Sequence, residues 1–358
     1  MVAKSIQLGS RWTSPPDFGI ERSRSHESTV MPMNIAIIAQ NGRLGYEALL
    51  FAASLQKFNG HNDDIKLYVC TPIHNQLWHE DPDIRETDIA GRLEALGAEV
   101  VPFENATFGA EYPHSNKIYA LEALPPKENF VFFDTDVLIK GDLGSVDADF
   151  AVPTGGYEVP VWPIMSKSSN TRSEIWGALY DRFDIPTKGW WRDTEDPDST
   201  DRFPYFNGGC FYYRCPTVFA NAFRHIAHSI ERDPPAALEG QRLFPFLDQI
   251  ALALTIGFLN GDARGPKDIG LFAPVAFHYF SKPRLFIKPQ DTGHLNLARQ
   301  IVRSEELSDL FAQDPGFNYY FLEEGYDLVT GMVEEHNYNF MNFRLMRSAL
   351  RKSGKWYK

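Results

Sequence analysis

The chain has 358 residues, 43% of them apolar, enough to bury a large core in one big domain or two small ones. Its formal net charge of -12 excludes a nucleic-acid backbone as main partner, because that partner needs a basic face to displace counterions. The three cysteines, Cys70, Cys210 and Cys215, form no CxxC pair, which points to a reducing, cytoplasmic setting and to buried apolar roles.

Residues 1–30 mix Ser, Arg, Glu and Pro without a period and lack the apolar middle of a signal peptide, so they predict a flexible leader. No stretch reaches the length of a membrane span, and the apolar run Met33 to Ala39 predicts a buried strand. Asn105-Ala-Thr107 matches a glycosylation sequon by chance, given no secretory signal. From Asn34 onward strand and helix alternate. Strands are expected at 34–39, 65–70, 99–103 and in the run from Asn129, with helices at 46–58, 89–96 and 117–124, the last stopped by Pro125-Pro126. This alternation predicts βαβ units and an α/β fold with a mainly parallel, Rossmann-like sheet covered on both faces. Further on, strands are expected at 148–153, 206–213 and 275–280, and helices at 216–232 and 246–256. The aperiodic segment 184–204, rich in Asp, Pro, Gly and Trp, is expected to be a lid.

The C-terminal part, 291–358, is expected to be a helical extension of a main domain at 31–290. Residues 334–352 read as one helix with an apolar stripe of Phe343, Met346 and Leu350 beside a basic stripe of Arg344, Arg347 and Arg351. Such a helix is a candidate for peripheral contact with anionic lipid; the plainer alternative is a solvated face on a helix docked to the domain.

The most informative stretch is Asn129-Phe-Val-Phe-Phe-Asp-Thr-Asp-Val-Leu138. An apolar strand ends in two carboxylates, Asp134 and Asp136, spaced so that both fall on one face. Two anions so placed repel each other unless a cation sits between them, and an oxygen-liking divalent ion is the usual solution. In parallel sheets the ends of strands are where ligands bind. Alternatively, the pair caps a loop or meets surface lysines.

With that motif in hand, a family resemblance emerges. The Asp-x-Asp strand, then Tyr205-Phe-Asn-Gly-Gly-Cys-Phe-Tyr212, Leu247-Asp-Gln249 and His278-Tyr-Phe-Ser-Lys-Pro283, resemble in order and spacing the family 8 retaining glycosyltransferases, the glycogenin and bacterial galactosyltransferase group. His114-Ser-Asn-Lys-Ile-Tyr-Ala-Leu121 is similar to that family's segment with a phosphate-contacting lysine. The resemblance spans roughly 33–285 and implies a GT-A type fold. It implies Mn²⁺, or Mg²⁺, on Asp134, Asp136 and His278, with Lys117 and Lys282 on the donor diphosphate. Asn207 and Gly208 would line the sugar pocket, Asp248 and Gln249 would hold sugar hydroxyls near the anomeric carbon, and Ala39, Gln40, Asn41 and Tyr46 would receive the nucleotide. The implied activity moves a hexose from a nucleotide sugar, UDP-hexose above all, to a glycan, glycolipid or protein hydroxyl with retention. Two departures stand out: no glycine follows His278 and Arg284 replaces the usual Trp, and Gly208 stands where the family often has Ser.

The residue types suit that chemistry. Cleaving a sugar-phosphate bond leaves a diphosphate whose charge grows in the transition state, and an acidic chain must concentrate cations locally to meet it. Mixed carboxylate and imidazole ligation leans toward Mn²⁺. Other readings stay open here. Phe133-Asp-Thr-Asp-Val-Leu138 also resembles the aspartyl nucleophile loop of haloacid dehalogenase phosphohydrolases, although three strands precede it. A non-catalytic nucleotide-sugar or glycan-binding fold is a third reading. Asn207-Gly208-Gly209 can be a turn needing positive φ. Trp162, Trp190, Trp191 and Tyr157 can be core or can stack on an acceptor sugar, and His225 with His228 read as structural.

Overall fold

The computed structural model describes residues 32–158, 161–262, 265, 269–270, 273–287 and 293–357; the expected leader lies outside them. Strands Met33–Ile38 (β1), Ile65–Pro72 (β2), Ala98–Phe103 (β3) and Asn129–Phe133 (β4) pair in parallel in the order β3-β2-β1-β4. Helices Arg43–Asn59 (α1), Asp88–Ala95 (α2) and Asn116–Ala120 (α3) connect them. After β4 the chain leaves this sheet through Asp134-Thr135-Asp136 and enters Val137–Ile139 (β5), which belongs to a second, three-stranded sheet.

The expected strand at 148–153 does not form; only Thr154–Gly155 (β6) pairs. The reason is local: the Asp149 carboxylate accepts from the Ala151 N–H and its carbonyl from the Val152 N–H, so the chain turns. Helix Arg172–Arg182 (α4), absent from the sequence reading, follows a capping box between Thr171 and Glu174. Cys210–Tyr213 (β7) runs antiparallel to β4 and carries β6 on its other edge. Pro216–Arg232 (α5), with Pro at its first position, and Leu247–Phe258 (α6) then cover one face. Ile269–Gly270 (β8) and Ala276–His278 (β9) complete the small sheet in the order β5-β9-β8.

The C-terminal part consists of Gly293–Val302 (α7), Ser308–Phe311 (α8), Pro315–Phe317 (α9), Gly325–His336 (α10) and Phe343–Lys352 (α11). The single helix expected over 334–352 is two, because Asn337 adopts a left-handed conformation, φ 49, that ends α10.

Strand alternation builds two cores. Ile35, Ile37, Val131 and Phe133 point to the face covered by α1 and the C-terminal helices, whereas Ala36, Ile38, Phe130 and Phe132 point to the face covered by α3, α4, α5 and α6. Each fully buried phenylalanine contributes about 1.5–3 kcal/mol, so both faces are firmly held. Phe343, Met346 and Leu350 belong to the first core. The apolar stripe offered above as a lipid face is therefore spent on docking, and Arg344, Arg347 and Arg351 remain exposed. Among the described residues no helix is long and apolar enough to cross a membrane, and the three cysteines are buried and unpaired.

Candidate active site

Strand registers bring the site together. Val137 on β5 lies opposite His278 on β9, so the histidine lands beside the preceding Asp136. On the other side Phe133 lies opposite Cys210, and the Asp134 N–H donates to the Gly209 carbonyl at 3.0 Å. Asp134, Asp136 and His278 consequently offer ligand atoms within 4.8 Å of one another, the only such group among the described residues. His278 Nε2 lies 2.9 Å from Asp136 Oδ1, while its Nδ1 lies 2.6 Å from the Tyr157 hydroxyl. That second contact fixes the ring, as partners of metal-bound histidines commonly do. Burial alone would raise the Asp136 pKa, yet His278, Arg43 and Lys117 hold it at about 2. Burial and the two aspartates push the Tyr157 hydroxyl up, so it stays protonated.

Lys117 links this group to the sugar-side residues. Its ammonium lies 2.9 Å from Asp134 Oδ1 and 3.6 Å from Asp248 Oδ2, and it donates to the Gly208 carbonyl at 3.0 Å. Burial opposes its charge, but the Asp134 and Asp248 carboxylates outweigh it and raise its pKa. Asp248 is buried, with Oδ1 accepting from the Tyr112 hydroxyl at 2.6 Å and Oδ2 without a hydrogen bond. Gln249 Oε1 is likewise buried and unpartnered. Neither Gly208 nor Gly209 has positive φ. What these positions demand is space: a Cβ on Gly209 would sit 2.4 Å from His278 Cε1, and one on Gly208 3.0 Å from both Asp248 and Lys117.

A cavity of about 730 Å³ opens over this group, lined by Gln40, Asn41, Lys117, Asp134, Asp136, Asn207, Gln249 and His278 among others. Asp248 and Gly208 stand just behind that wall. Ala39 is buried and donates its N–H to the Cys70 carbonyl, off the lining. Two more expected contacts, Tyr46 and Lys282, are also off the lining. Tyr46 packs against the first core because Leu44, which does line the cavity, is two positions earlier on α1, roughly 200° around the helix. Lys282 is fully buried with its ammonium 3.3 Å from Asp314 and 3.9 Å from Glu47. It opens a tight 3₁₀ turn, Lys282–Phe286, whose cavity-facing residue is instead Arg284.

The sequence reading gave no place at the site to Arg43, Phe343, Arg347 and Trp356, all on the cavity lining. Arg284 lies 4.7 Å from the Phe280 ring centroid and 4.5 Å from that of Phe343. Arg347 follows Phe343 by one helical turn on α11, so the two guanidiniums share one wall. Burial, then Arg347, lowers the Arg284 pKa. Segment 184–204, expected as a lid, contributes nothing to this lining; it is anchored on α4, where the Asp198 carboxylate accepts from the Ser173 N–H and Trp190 donates to Tyr180.

Comparison with known proteins names the class. Residues 35–260 match the Rhodobacterales glycosyltransferase domain, and the chain belongs to that family. It is a glycosyltransferase, and the phosphohydrolase and non-catalytic readings fall away. Solved structures it resembles include the galactosyltransferase LgtC in complex with donor and acceptor sugar analogs, at 12% identity and a TM-score of 0.44 over 76% of this chain and 98% of that one. Another is the WbbM bifunctional glycosyltransferase in apo form, at 10% identity and a TM-score of 0.41 over 82% of this chain and 53% of that one. Apo GlyE of Streptococcus pneumoniae TIGR4 matches at 11% and 0.37 over 79% and 64%. No curated protein matches.

Proposed function

We propose that this glycosyltransferase moves a hexose from a nucleoside-diphosphate sugar, with UDP-hexose as donor, to an acceptor hydroxyl with retention, in the manner of family 8. The observation that carries this reading is the meeting of Asp134, Asp136 and His278 within 4.8 Å at the floor of a cavity large enough for a nucleotide sugar. Two carboxylates and one imidazole held by Tyr157 suit a divalent ion, Mn²⁺ ahead of Mg²⁺. Once bound there, the ion would draw charge off the departing diphosphate.

The protein's own groups do the rest. Arg284 and Arg347 face the same cavity and take the phosphate oxygens in place of the withdrawn Lys282, because guanidiniums match phosphate geometry in pairs. Gln40 and Asn41 lie at the end of β1, where the nucleoside would rest. Asp248 Oδ2 and Gln249 Oε1, buried without hydrogen-bond partners, are acceptors poised for sugar hydroxyls, and Asn207 flanks them. Asp248 is positioned from two sides by Tyr112, which accepts from its N–H at 2.9 Å and donates to its carboxylate at 2.6 Å. With no second carboxylate offered as nucleophile on this reading, the leaving phosphate accepts the acceptor's proton.

The test is a donor-hydrolysis screen across nucleotide sugars with Mn²⁺ and with Mg²⁺, paired with calorimetry of metal and uridine diphosphate. Turnover of a nucleotide hexose that disappears in Asp136→Asn is expected. Calorimetry recording neither metal nor nucleotide uptake sinks the proposal.

A further inference from the structure

A second, smaller cavity shares no lining residue with the first and has no part in the scheme above. It measures about 190 Å³ and is built on Trp162, Trp176, Phe203 and Tyr205, each at most 3% exposed. The rings are arranged face and edge: Trp162 is T-shaped to Trp176 at 5.1 Å, and Trp176 stacks on Phe203 at 6.3 Å. Its rim carries Arg172, Arg192, Glu158, Asp201 and Thr200.

Three features define what fits. First, the Trp162 indole N–H, the Tyr205 hydroxyl and the Arg172 Nε–H are buried without hydrogen-bond partners, and each such orphan costs about 1–3 kcal/mol until something pairs with it. Second, the two rim guanidiniums and two rim carboxylates cancel, so an anionic nucleotide gains nothing here, whereas a neutral polyol finds donors and acceptors alike. Third, the volume falls below the roughly 300–1,000 Å³ of sites for drug-sized ligands, which suits one sugar unit. The rings pack on one another and leave only edges toward the cavity, so a sugar unit here is held through the polar groups around them.

Position supplies the role. Tyr205 is two residues before Asn207 on the main cavity wall. Glu158 bridges to Phe206 and follows Tyr157, the residue that holds His278. Glu158 is itself held by Arg192 at 2.8 Å, with Arg192 also donating to the Asp201 carbonyl at 3.2 Å.

We infer that this aromatic cavity is a glycan subsite that holds a neutral sugar unit of the acceptor beside the site of transfer; its acceptor role rests on the proposed function, while its sugar binding does not. The experiment is ligand-observed saturation-transfer NMR with the methyl glycosides of glucose, galactose and N-acetylglucosamine. Wild-type protein and Asp136→Asn should both give transfer. Tyr205→Phe, which keeps the packing and deletes one orphan, should weaken it by about tenfold with a thermal midpoint unchanged or raised; Trp162→Phe, which also removes part of a buried ring, should weaken it with a lowered midpoint. Transfer to none of the glycosides, or transfer retained in both Phe variants, overturns the subsite. So does a lowered midpoint with unchanged transfer in Tyr205→Phe, the mark of groups satisfied by water alone. Donor hydrolysis measured on the same samples separates the two ideas: a bound glycoside without donor turnover removes the acceptor role, and turnover without glycoside contact removes the subsite only.

Discussion

Lys117 and Lys282 were expected to do the same work, and each is buried beside two carboxylates, but they sit in opposite walls of the molecule. Lys117, on α3, belongs to the wall that carries Asp134, 2.9 Å from its carboxylate, and borders the cavity. Lys282 belongs to the layer behind the cavity, 3.3 Å from Asp314 and 3.9 Å from Glu47, over the Phe317 ring. Burial opposes both charges; close carboxylates win at Lys117 and raise its pKa, whereas burial wins at Lys282 and lowers it. Deep burial with looser partners makes a strut between α1 and the chain near α9, and a tight contact at a cavity edge makes a group that can act.

Substitution separates the two walls most sharply. Lys117→Met should cut kcat/KM by about 10²–10³, the loss typical of removing one donor from a developing anion, and should also cost stability, because buried Asp248 loses its nearest cation. Lys282→Met should leave nucleotide affinity near wild type but cost about 3–5 kcal/mol of stability, because Glu47 and Asp314 lose the cation between them. Steady-state kinetics and urea midpoints on both variants check the contrast; an equal loss of activity in both erases it.

A second way to sharpen it is Tyr157→Phe. The substitution removes the 2.6 Å partner of His278 Nδ1 and nothing in the core. Metal affinity, read by calorimetry with Mn²⁺, should fall by about 10–100-fold while the fold persists. Next comes Arg347→Ala on the opposite wall. It should weaken uridine diphosphate by about tenfold, the worth of a charge-assisted contact, with stability unchanged or raised because Arg284 loses a like-charged neighbour. An unchanged nucleotide affinity would leave that wall out of donor binding.

The same contrast explains what the sequence could reveal. Asp134 and Asp136 were legible because two carboxylates directly after an apolar run mark a strand's end; the alternation invoked for them does not operate, since β4 stops at Phe133 and the turn into β5 is what brings the pair together. His278 needed the order of distant motifs, since a register such as Val137 opposite His278 is set by tertiary pairing. Lys282 misled because residues two apart in a 3₁₀ turn face different ways, and nothing in Lys-Pro-Arg says which faces in. Arg347 lay in a recognised basic stripe but was read as facing anionic lipid or solvent, because its apolar companions Phe343, Met346 and Leu350 had no visible partner along the chain. Helix α4 had a readable signal in Thr171-Arg-Ser-Glu174 that went unused.

The smallest effect concerns the core face remote from both walls. His228 on α5 has Nε2 2.7 Å from the Tyr119 hydroxyl and lies edge-on to Phe108 at 5.7 Å. Burial, then Arg232, Arg224 and His225, lowers its pKa to about 4. An unfolded histidine titrates near 6.5, so the unfolded chain takes up the proton first as pH falls. Above about 6.5 both states are neutral and this contribution to stability is whole; it is lost progressively down to about 4 and changes no further below that. His225, lowered by burial and then Arg182, acts in the same direction. The loss should be on the order of 1 kcal/mol for a half-buried ring after solvent screening. Urea midpoints at pH 7, 5 and 4 should therefore decline in the wild type, and His228→Gln, which keeps a polar partner for Tyr119 without a titrating group, should flatten the decline. Equal slopes in the two proteins would assign the acid sensitivity to other groups.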